Sequence, residues 1–330
     1  MPPLLISDES FERIRRVARS LPIFAVDFFG FECKLGDQSA LADCAINLTP
    51  DGARMLAGNH LVSPPQELQN GSWEKLRGFY RAWAETHASS FENARATWLE
   101  FDTSTNGTAE VSPPNLLFGY WPQEVERPPE WIIDTIIPLL LGGAISPEFR
   151  QNVARCLAAR PRETADFQIG VMFSRNIQAV RLCVFDLPAD EVFPYLDEVG
   201  WNGDRDELGE YLEAFQPYAD FIGLHLDVGE KIYPHIGVEP NFVAGCWARQ
   251  PHMEPRWKGQ FEQLLKRGLL IPEKRDALLA WIGHQSLLSG DQEVLLLRGL
   301  SHLKVVLRPG AQAVAKAYFG IAHRAMEIQA

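Results

Sequence analysis

The stretch from Phe221 to Glu239 reads FIGLHLDVGEKIYPHIGVE, and its pattern decides the fold of the chain. Apolar residues take every second position on both sides of Gly229-Glu230, which predicts two strands joined by a tight turn. One predicted face carries the apolar residues Ile222, Leu224, Leu226, Val228, Ile232, Ile236 and Val238. The other face carries the polar and aromatic residues His225, Asp227, Lys231, Tyr233, His235 and Glu239.

The same hairpin pattern recurs four more times along the chain, each time between helices. The predicted strand pairs are 24–34 with 42–48, 97–102 with 116–121, 167–174 with 179–186, and 301–308 with 314–321. Helices are predicted at about 8–20, 51–57, 73–91, 130–141, 189–199, 205–216, 256–267 and 272–282, with another opening at Ser146-Pro147. No low-complexity linker divides the chain, so we expect a single domain over residues 1–330.

The alternation within the strands predicts how the hairpins assemble. Amphipathic helices must cover the apolar face, which leaves the polar and aromatic face on the side away from the helices. Ten strands closed with their helices outside would enclose a chamber lined by that second face. The predicted fold class is therefore α+β, a closed ten-stranded antiparallel β-barrel of five hairpins surrounded by helices in αββα repeats. An open sheet with one solvated face is the alternative.

Composition narrows the classes of function that the chain can have. The chain of 330 residues is 46% hydrophobic and 22% charged, which is typical of a soluble globular protein. We expect it to be cytoplasmic, with no secretory leader and no apolar run of the ~18 residues that span a bilayer. The net charge of −12 argues against nucleic acid or an anionic membrane as a partner. Five scattered cysteines and unpatterned histidines predict neither disulfides nor a metal site.

The predicted inner face carries the residues on which a functional hypothesis depends. Its expected cations are Arg181, Lys231, Lys304 and Lys316. Its expected aromatic residues are Tyr120, Tyr233, Tyr318 and Trp98, and its acids are Asp43, Glu100, Asp102, Asp227 and Glu239. Cations that converge in a chamber need an anion, because unpaired buried charge is costly. A diphosphate suits this role, and an aromatic wall beside it can hold a carbocation by cation–π attraction.

The chain resembles the αββα-barrel aromatic prenyltransferases, which include the dimethylallyltryptophan synthases. Lys231-Ile232-Tyr233 and Lys316-Ala317-Tyr318 are similar to the Lys-x-Tyr motif of that family. The run Asp43-x-Ala45-x-Asn47 resembles the family's Glu-x-Ser-x-Asn, with Asp in place of Glu. The sequence departs from the family at Phe118, which stands where a Lys is usual, and at Arg181-x-Cys183, which lacks the Tyr.

The resemblance implies transfer of an allylic prenyl group from its diphosphate to an indole, a phenol or a peptide side chain. It implies that the diphosphate is bound by Arg181, Lys231, Lys304 and Lys316. It implies a cation shield made by Tyr120, Tyr233, Tyr318 and Trp98. The proton of the acceptor would pass to Glu100, which we favour, or to Asp43. No cofactor is required, and magnesium is compatible with the diphosphate.

Two other functions are compatible with the sequence. A guanidine-modifying enzyme of the pentein type is also fivefold, and would use Cys246 with His252 as nucleophile and base. A non-catalytic barrel could instead bind a peptide or a small molecule. The lysines also have purely structural interpretations, since Lys231 follows a turn and Lys304 and Lys316 could mark a charged edge strand.

Overall fold

The computed structural model describes residues 2–63, 71–86, 97–102, 114–120, 129–159, 167–174, 177–243, 245–289 and 292–326. Eleven strands form one sheet over these residues. They are β1 Val26–Lys34, β2 Ala42–Leu48, β3 Thr97–Phe101, β4 Asn115–Tyr120, β5 Phe167–Val171, β6 Val180–Leu187, β7 Phe221–Val228, β8 Ile232–Asn241, β9 Gly283–Ser289, β10 Gln292–Arg308 and β11 Ala311–Met326.

Ten of the strands close into an antiparallel barrel, as the alternation predicted. Neighbours in sequence pair from β1 through to β8, β8 pairs with β10, and β10 pairs with β11. The ring closes where β11 pairs with β1, for example through Phe31 and Phe319. An open sheet is therefore excluded. The hairpin predicted over residues 221–239 is formed by β7 and β8, with Leu224 opposite Val238.

The strand β9 is a correction to the sequence-based prediction. It lies outside the ring and pairs with the first half of β10, from Gly283 opposite Arg298 to Ser289 opposite Gln292. The strands β10 and β11 are also longer than predicted, so a three-stranded ribbon continues from one end of the barrel. Leu295, Leu296 and Leu297 are three consecutive apolar residues, so the sequence shows no alternation of apolar and polar positions in this segment.

Helices flank the hairpins along the chain. They are α1 Asp8–Arg19, α2 Pro50–Ala57, α3 Gly71–Thr86, α4 Pro129–Trp131, α5 Ile137–Leu141, α6 Pro147–Ala158, α7 Val192–Val199, α8 Arg205–Phe215, α9 Arg256–Lys266 and α10 Pro272–Trp281. A π-helical turn, Ile132–Ile136, joins α4 to α5. Of the described helices, none is long and apolar enough to cross a membrane.

The helix boundaries follow from local sequence signals. Ser146 caps α6 by accepting a hydrogen bond from the Phe149 amide, and Asp204 caps α8 by accepting one from Glu207. The helices α2 and α7 end at Gly58 and Gly200, each in the left-handed conformation that glycine adopts without strain.

The hydrophobic core lies between the barrel and its helices. Leu224 and Leu226 on β7 and Leu303 on β10 belong to a continuous cluster of buried side chains that includes Trp257 of α9 and Trp281 of α10. Because side chains alternate along a strand, burying these residues fixes which residues face the inside.

Candidate active site

The inside of the barrel is accessible to water. Outward side chains such as Leu226 are 0% exposed, whereas the inward side chains of His235, Lys316 and Arg181 keep 28%, 18% and 16% exposure. These groups lie on the inner face of the ring of strands and are only partly buried. The inner face can therefore contact a bound molecule.

Three lysines form a row across the inner face. Lys304 on β10 is opposite Lys316 on β11, and Lys316 is opposite Lys34 on β1. Directly opposed residues of an antiparallel pair point to the same face, and like charges in such pairs repel. The row is therefore a place where a negatively charged group gains stability. Lys34 is exposed at the edge of the barrel, while Lys304 is buried.

A carboxylate of the protein occupies part of this row. Glu32 on β1 binds Lys316 Nζ through Oε1 and accepts a hydrogen bond from the Tyr318 hydroxyl through Oε2. Burial acts to raise the pKa of Glu32, but Lys316 and Tyr318 outweigh it and lower that pKa to about 2. Burial and Glu32 raise the pKa of Tyr318 well above its usual value, so its hydroxyl keeps the proton that it donates.

Arg181 is neutralised by an acid on the neighbouring strand. Its Nε and Nη2 lie 2.8 and 3.0 Å from the two carboxylate oxygens of Asp227, a bidentate pair. His235 Nε2 lies 2.7 Å from Asp227 Oδ2. Burial acts to raise the pKa of Asp227, but His235 and Arg181 hold it well below its usual range.

Lys304 belongs to a third charged cluster. Its Nζ lies 2.8 Å from His225 Nδ1 and 3.5 Å from Glu239 Oε1, and His225 Nε2 lies 2.6 Å from the same oxygen. Burial lowers the pKa of His225 to about 4 and also lowers that of Lys304. Because an ammonium group can only donate, the neutral imidazole accepts from Lys304 at Nδ1 and carries its proton on Nε2, which has no hydrogen-bond partner among the described residues.

Gly237 gives this cluster the room that it needs. It lies opposite His225 on β7, and a Cβ atom there would come within 2.6 Å of Lys304 Cε and 3.1 Å of His225 Cβ. The absence of a side chain at residue 237 thus lets a lysine from β10 reach a histidine from β7.

Glu100 differs from the other inner acids. Within the described part of the chain its carboxylate has no hydrogen bond and no ion pair, although it interacts electrostatically with Glu32, Lys304, Arg181 and Lys316. Burial raises its pKa, and the charge of Glu32 raises it further. Asp43 lies on β2 opposite Glu32 and is half-buried. Both residues proposed as the base thus border the same part of the chamber.

Aromatic side chains line the inside near the charged groups. The ring of Phe28 makes edge contacts with Trp98 and Trp247, at centroid distances of 5.5 and 4.9 Å. The ring of Tyr318 stacks on that of His302 with 4.2 Å between the ring centroids. Lys304 Nζ lies 5.8 Å from the centroid of the Tyr318 ring. The chamber therefore offers an apolar, π-rich surface next to the lysine row.

The remaining predicted site residues lie toward the rim. Lys231 is exposed at the turn between β7 and β8, with its Nζ 5.2 Å from the centroid of the Tyr233 ring. Tyr233 is half-buried and lies beside His235, with 5.7 Å between ring centroids. Tyr120 ends β4, and its side chain lies outside the described residues. The roles assigned to Lys231, Tyr233 and Tyr120 stay predictions, as do those of the other site residues.

Sequence reasoning missed two residues of the site, Glu32 and Lys34. Glu32 and Lys34 do alternate with Phe31 and Cys33, but the run Phe28-Phe29-Gly30-Phe31 before them has aromatic residues on both faces and obscures the period. His302, in contrast, lies on the polar face that the alternation of His302, Lys304 and Arg308 predicts, and its ring stacks on Tyr318.

The cysteines do not support a thiol nucleophile. Cys246 donates to Asn241 Oδ1 rather than to a histidine, and burial raises its pKa to about 11. Cys183 has the closer histidine, with 3.0 Å from Sγ to His225 Nδ1. It is 0% exposed, however, and burial raises its pKa to about 12. A thiol in that state is neither ionised nor reachable.

No cluster of three or more metal-ligating side chains is found in the described part of the chain. The aromatic wall and the lysine row are the features that the described residues offer to a ligand.

Comparison with known proteins places this barrel in a recognised fold. The structure is similar to that of 5-dimethylallyltryptophan synthase from Streptomyces coelicolor, with a TM-score of 0.50 and 13% sequence identity. The similarity covers 95% of this chain and 91% of that protein. No family model and no curated protein matches the sequence. The chain thus has the αββα-barrel fold that its hairpins predicted, which is the fold of an aromatic prenyltransferase.

Proposed function

We propose that the chain transfers an allylic prenyl group from its diphosphate to an electron-rich aromatic or peptide acceptor inside the barrel. The observation that carries this proposal is the row of Lys34, Lys316 and Lys304 across three neighbouring strands. In the structure Glu32 and Glu239 meet the charges of Lys316 and Lys304, and a departing diphosphate can take the place of these carboxylates. The structurally similar protein is a dimethylallyltryptophan synthase, and its name is consistent with this class of reaction.

In this proposal the aromatic side chains shield the allylic cation. Tyr318 presents its ring beside Lys304, and Trp98 and Phe28 extend the wall. Excluding water from the cation prevents its hydrolysis. Glu100 then takes the proton that the acceptor loses, since a carboxylate with a raised pKa is a suitable base near neutral pH. Magnesium, where used, would enter with the diphosphate.

The direct test is incubation with dimethylallyl or geranyl diphosphate and a panel of indoles, phenols and peptides, with products read by mass. A product heavier by one prenyl group supports the proposal. The matched control is Lys316→Met, which should form less product at the same donor concentration. Neither product nor diphosphate release from any donor with any acceptor would overturn it.

A barrel that binds a ligand without chemistry is the second candidate. It is favoured by the internal pairing of the inward cations Arg181, Lys304 and Lys316, each of which contacts a carboxylate of the protein. A chamber neutralised in this way does not need an anion to be stable. Tight binding of an aromatic ligand with no release of diphosphate would identify this function.

A further inference from the structure

Glu32 occupies the two donors of the Lys316-x-Tyr318 pair. One carboxylate oxygen binds the ammonium group of Lys316 and the other accepts the hydroxyl proton of Tyr318. This contact joins residues 284 and 286 positions apart in the chain, and the pairing of β1 with β11 brings them together. A carboxylate of the protein therefore lies where the proposed function requires a phosphate oxygen.

We propose that Glu32 is a built-in competitor for the diphosphate, which binds only by displacing the Glu32 carboxylate from Lys316 and Tyr318. This inference rests on the proposed function and names the residue that sets the affinity for the donor. The displacement breaks one hydrogen bond and one ion pair within the protein and replaces both with bonds to phosphate oxygens. The freed carboxylate takes a proton from the solvent, so that no charge is left unpaired.

Exchange is favoured over simple addition of a second anion because Tyr318 has one proton to donate. That proton is already held by Glu32, and the raised pKa of Tyr318 keeps the hydroxyl protonated. A diphosphate placed beside an ionised Glu32 would also meet a like charge at contact distance, which is unfavourable in a partly buried site.

The groups that face Glu32 agree with proton uptake on displacement. Glu32 lies opposite Asp43 of β2, and its charge raises the pKa of Glu100 on β3. The cations beside it are Lys316 on β11 and Lys304 on β10, with His302 stacked on Tyr318. A carboxylate that loses Lys316 while two other acids remain nearby has its pKa raised, and so binds a proton more readily.

The test is calorimetric titration of the full chain with inorganic pyrophosphate. Glu32→Gln should bind pyrophosphate about tenfold more tightly or better, since the competing charge is gone. The matched control is Asp102→Asn, which also removes one inner carboxylate but leaves Lys316 untouched. Asp102 instead bonds Asn115 and Ser174. Glu32→Ala serves as a second variant should the Gln variant fail to fold.

A second measurement compares titrations in two buffers that differ in their heat of ionisation. Wild type should take up more protons on binding than Glu32→Gln does, which a merely structural role for Glu32 would not produce. Two outcomes would overturn the role of Glu32 as a competitor: equal pyrophosphate affinities in wild type and Glu32→Gln, or an equal increase in affinity in Glu32→Gln and Asp102→Asn. Neither outcome would contradict the proposed function. Absence of pyrophosphate binding in wild type and in every variant would overturn both.

Discussion

At the scale of single residues, the chamber is defined by which charges already have partners. Lys316, Arg181 and Lys304 each contact a carboxylate from another strand. Glu100 has no hydrogen bond or ion pair with any described residue, and Lys231 is exposed at a turn. A bound ligand would thus meet Glu100 directly, and Lys316, Arg181 and Lys304 only by exchange with their carboxylates.

The first prediction concerns the acceptor base. Glu100→Gln should keep its affinity for the donor while the rate of product formation falls by about 10²–10⁴, the usual cost of losing a general base. Asp43→Asn is the control, expected to retain most of its turnover. Normal turnover by Glu100→Gln together with an inactive Asp43→Asn would move the role to Asp43. If both variants turn over normally, no side-chain base acts from either position.

The second prediction separates the two Lys-x-Tyr lysines. Lys316→Ala removes a half-buried charge from the lysine row, so donor binding should weaken by the ~1.5–3 kcal/mol typical of a charge-assisted contact. Lys231→Ala removes an exposed charge and should cost less, within the ~0–1 kcal/mol of surface pairs. Titration with a non-hydrolysable prenyl diphosphate analogue measures both. Equal losses would show that Lys231 reaches the ligand from the rim.

At the scale of elements, the barrel depends on glycines where two strands approach closely. Gly30 on β1 and Gly320 on β11 lie opposite each other. A Cβ at residue 320 would come within 2.3 Å of the Phe29 carbonyl oxygen, whereas one at residue 30 would meet its nearest neighbours at 3.4–3.5 Å. The pairing that closes the barrel therefore tolerates a side chain at one of these positions only.

The third prediction follows from this pair. Gly320→Ala should lower the free energy of unfolding by about 2 kcal/mol or more, because a backbone oxygen must move to admit the methyl group. Gly30→Ala is the matched control and should stay within about 0.5 kcal/mol of wild type. Urea unfolding followed by circular dichroism measures both. Equal stability of the two variants would mean that β1 and β11 can separate locally at little cost.

At the scale of the whole molecule, the closed ring brings acids and bases from distant parts of the chain into one partly buried space. The pKa of Glu32 is lowered to about 2 and that of His225 to about 4. In both cases the unfolded chain binds protons more readily than the folded chain does, so acid favours unfolding. The inner face thus makes stability depend on pH.

The fourth prediction gives this dependence its sign and window. Between pH 6.5 and about 4, His225 is protonated in the unfolded chain but not in the folded chain. Between pH 4.5 and about 2, the same is true of Glu32. Each group should therefore remove about 3 kcal/mol of stability across its window. Urea unfolding at a series of pH values measures the loss. In His225→Gln the free energy of unfolding should depend less on pH between 6.5 and about 4, and in Glu32→Gln it should depend less on pH between 4.5 and about 2. An unchanged pH dependence in both variants would contradict both assignments.

The strand β9 and the closure of the ring, as opposed to an open sheet, are seen only in the strand pairing, whereas the sequence alone predicts the five hairpins and their helices. These rest on alternation and on helix caps, which are local properties: Leu224 and Leu226 face the core because every second residue of a strand does. The same alternation placed Arg181, Lys304 and Lys316 on the inner face. Where the alternation is obscured, as in Phe28-Phe29-Gly30-Phe31 before Glu32, nothing along the chain indicates the inward acid.

Only the tertiary structure decided which inner charges meet. Glu32 reaches Lys316 because β1 pairs with β11, and His225 reaches Lys304 because Gly237 leaves space between β7 and β10. A two-residue change of register would place different side chains opposite each other while keeping the apolar residues of each strand on the core face. The sequence therefore fixes the contents of the chamber, while the pairing of distant strands fixes which of those charges remain available to a ligand.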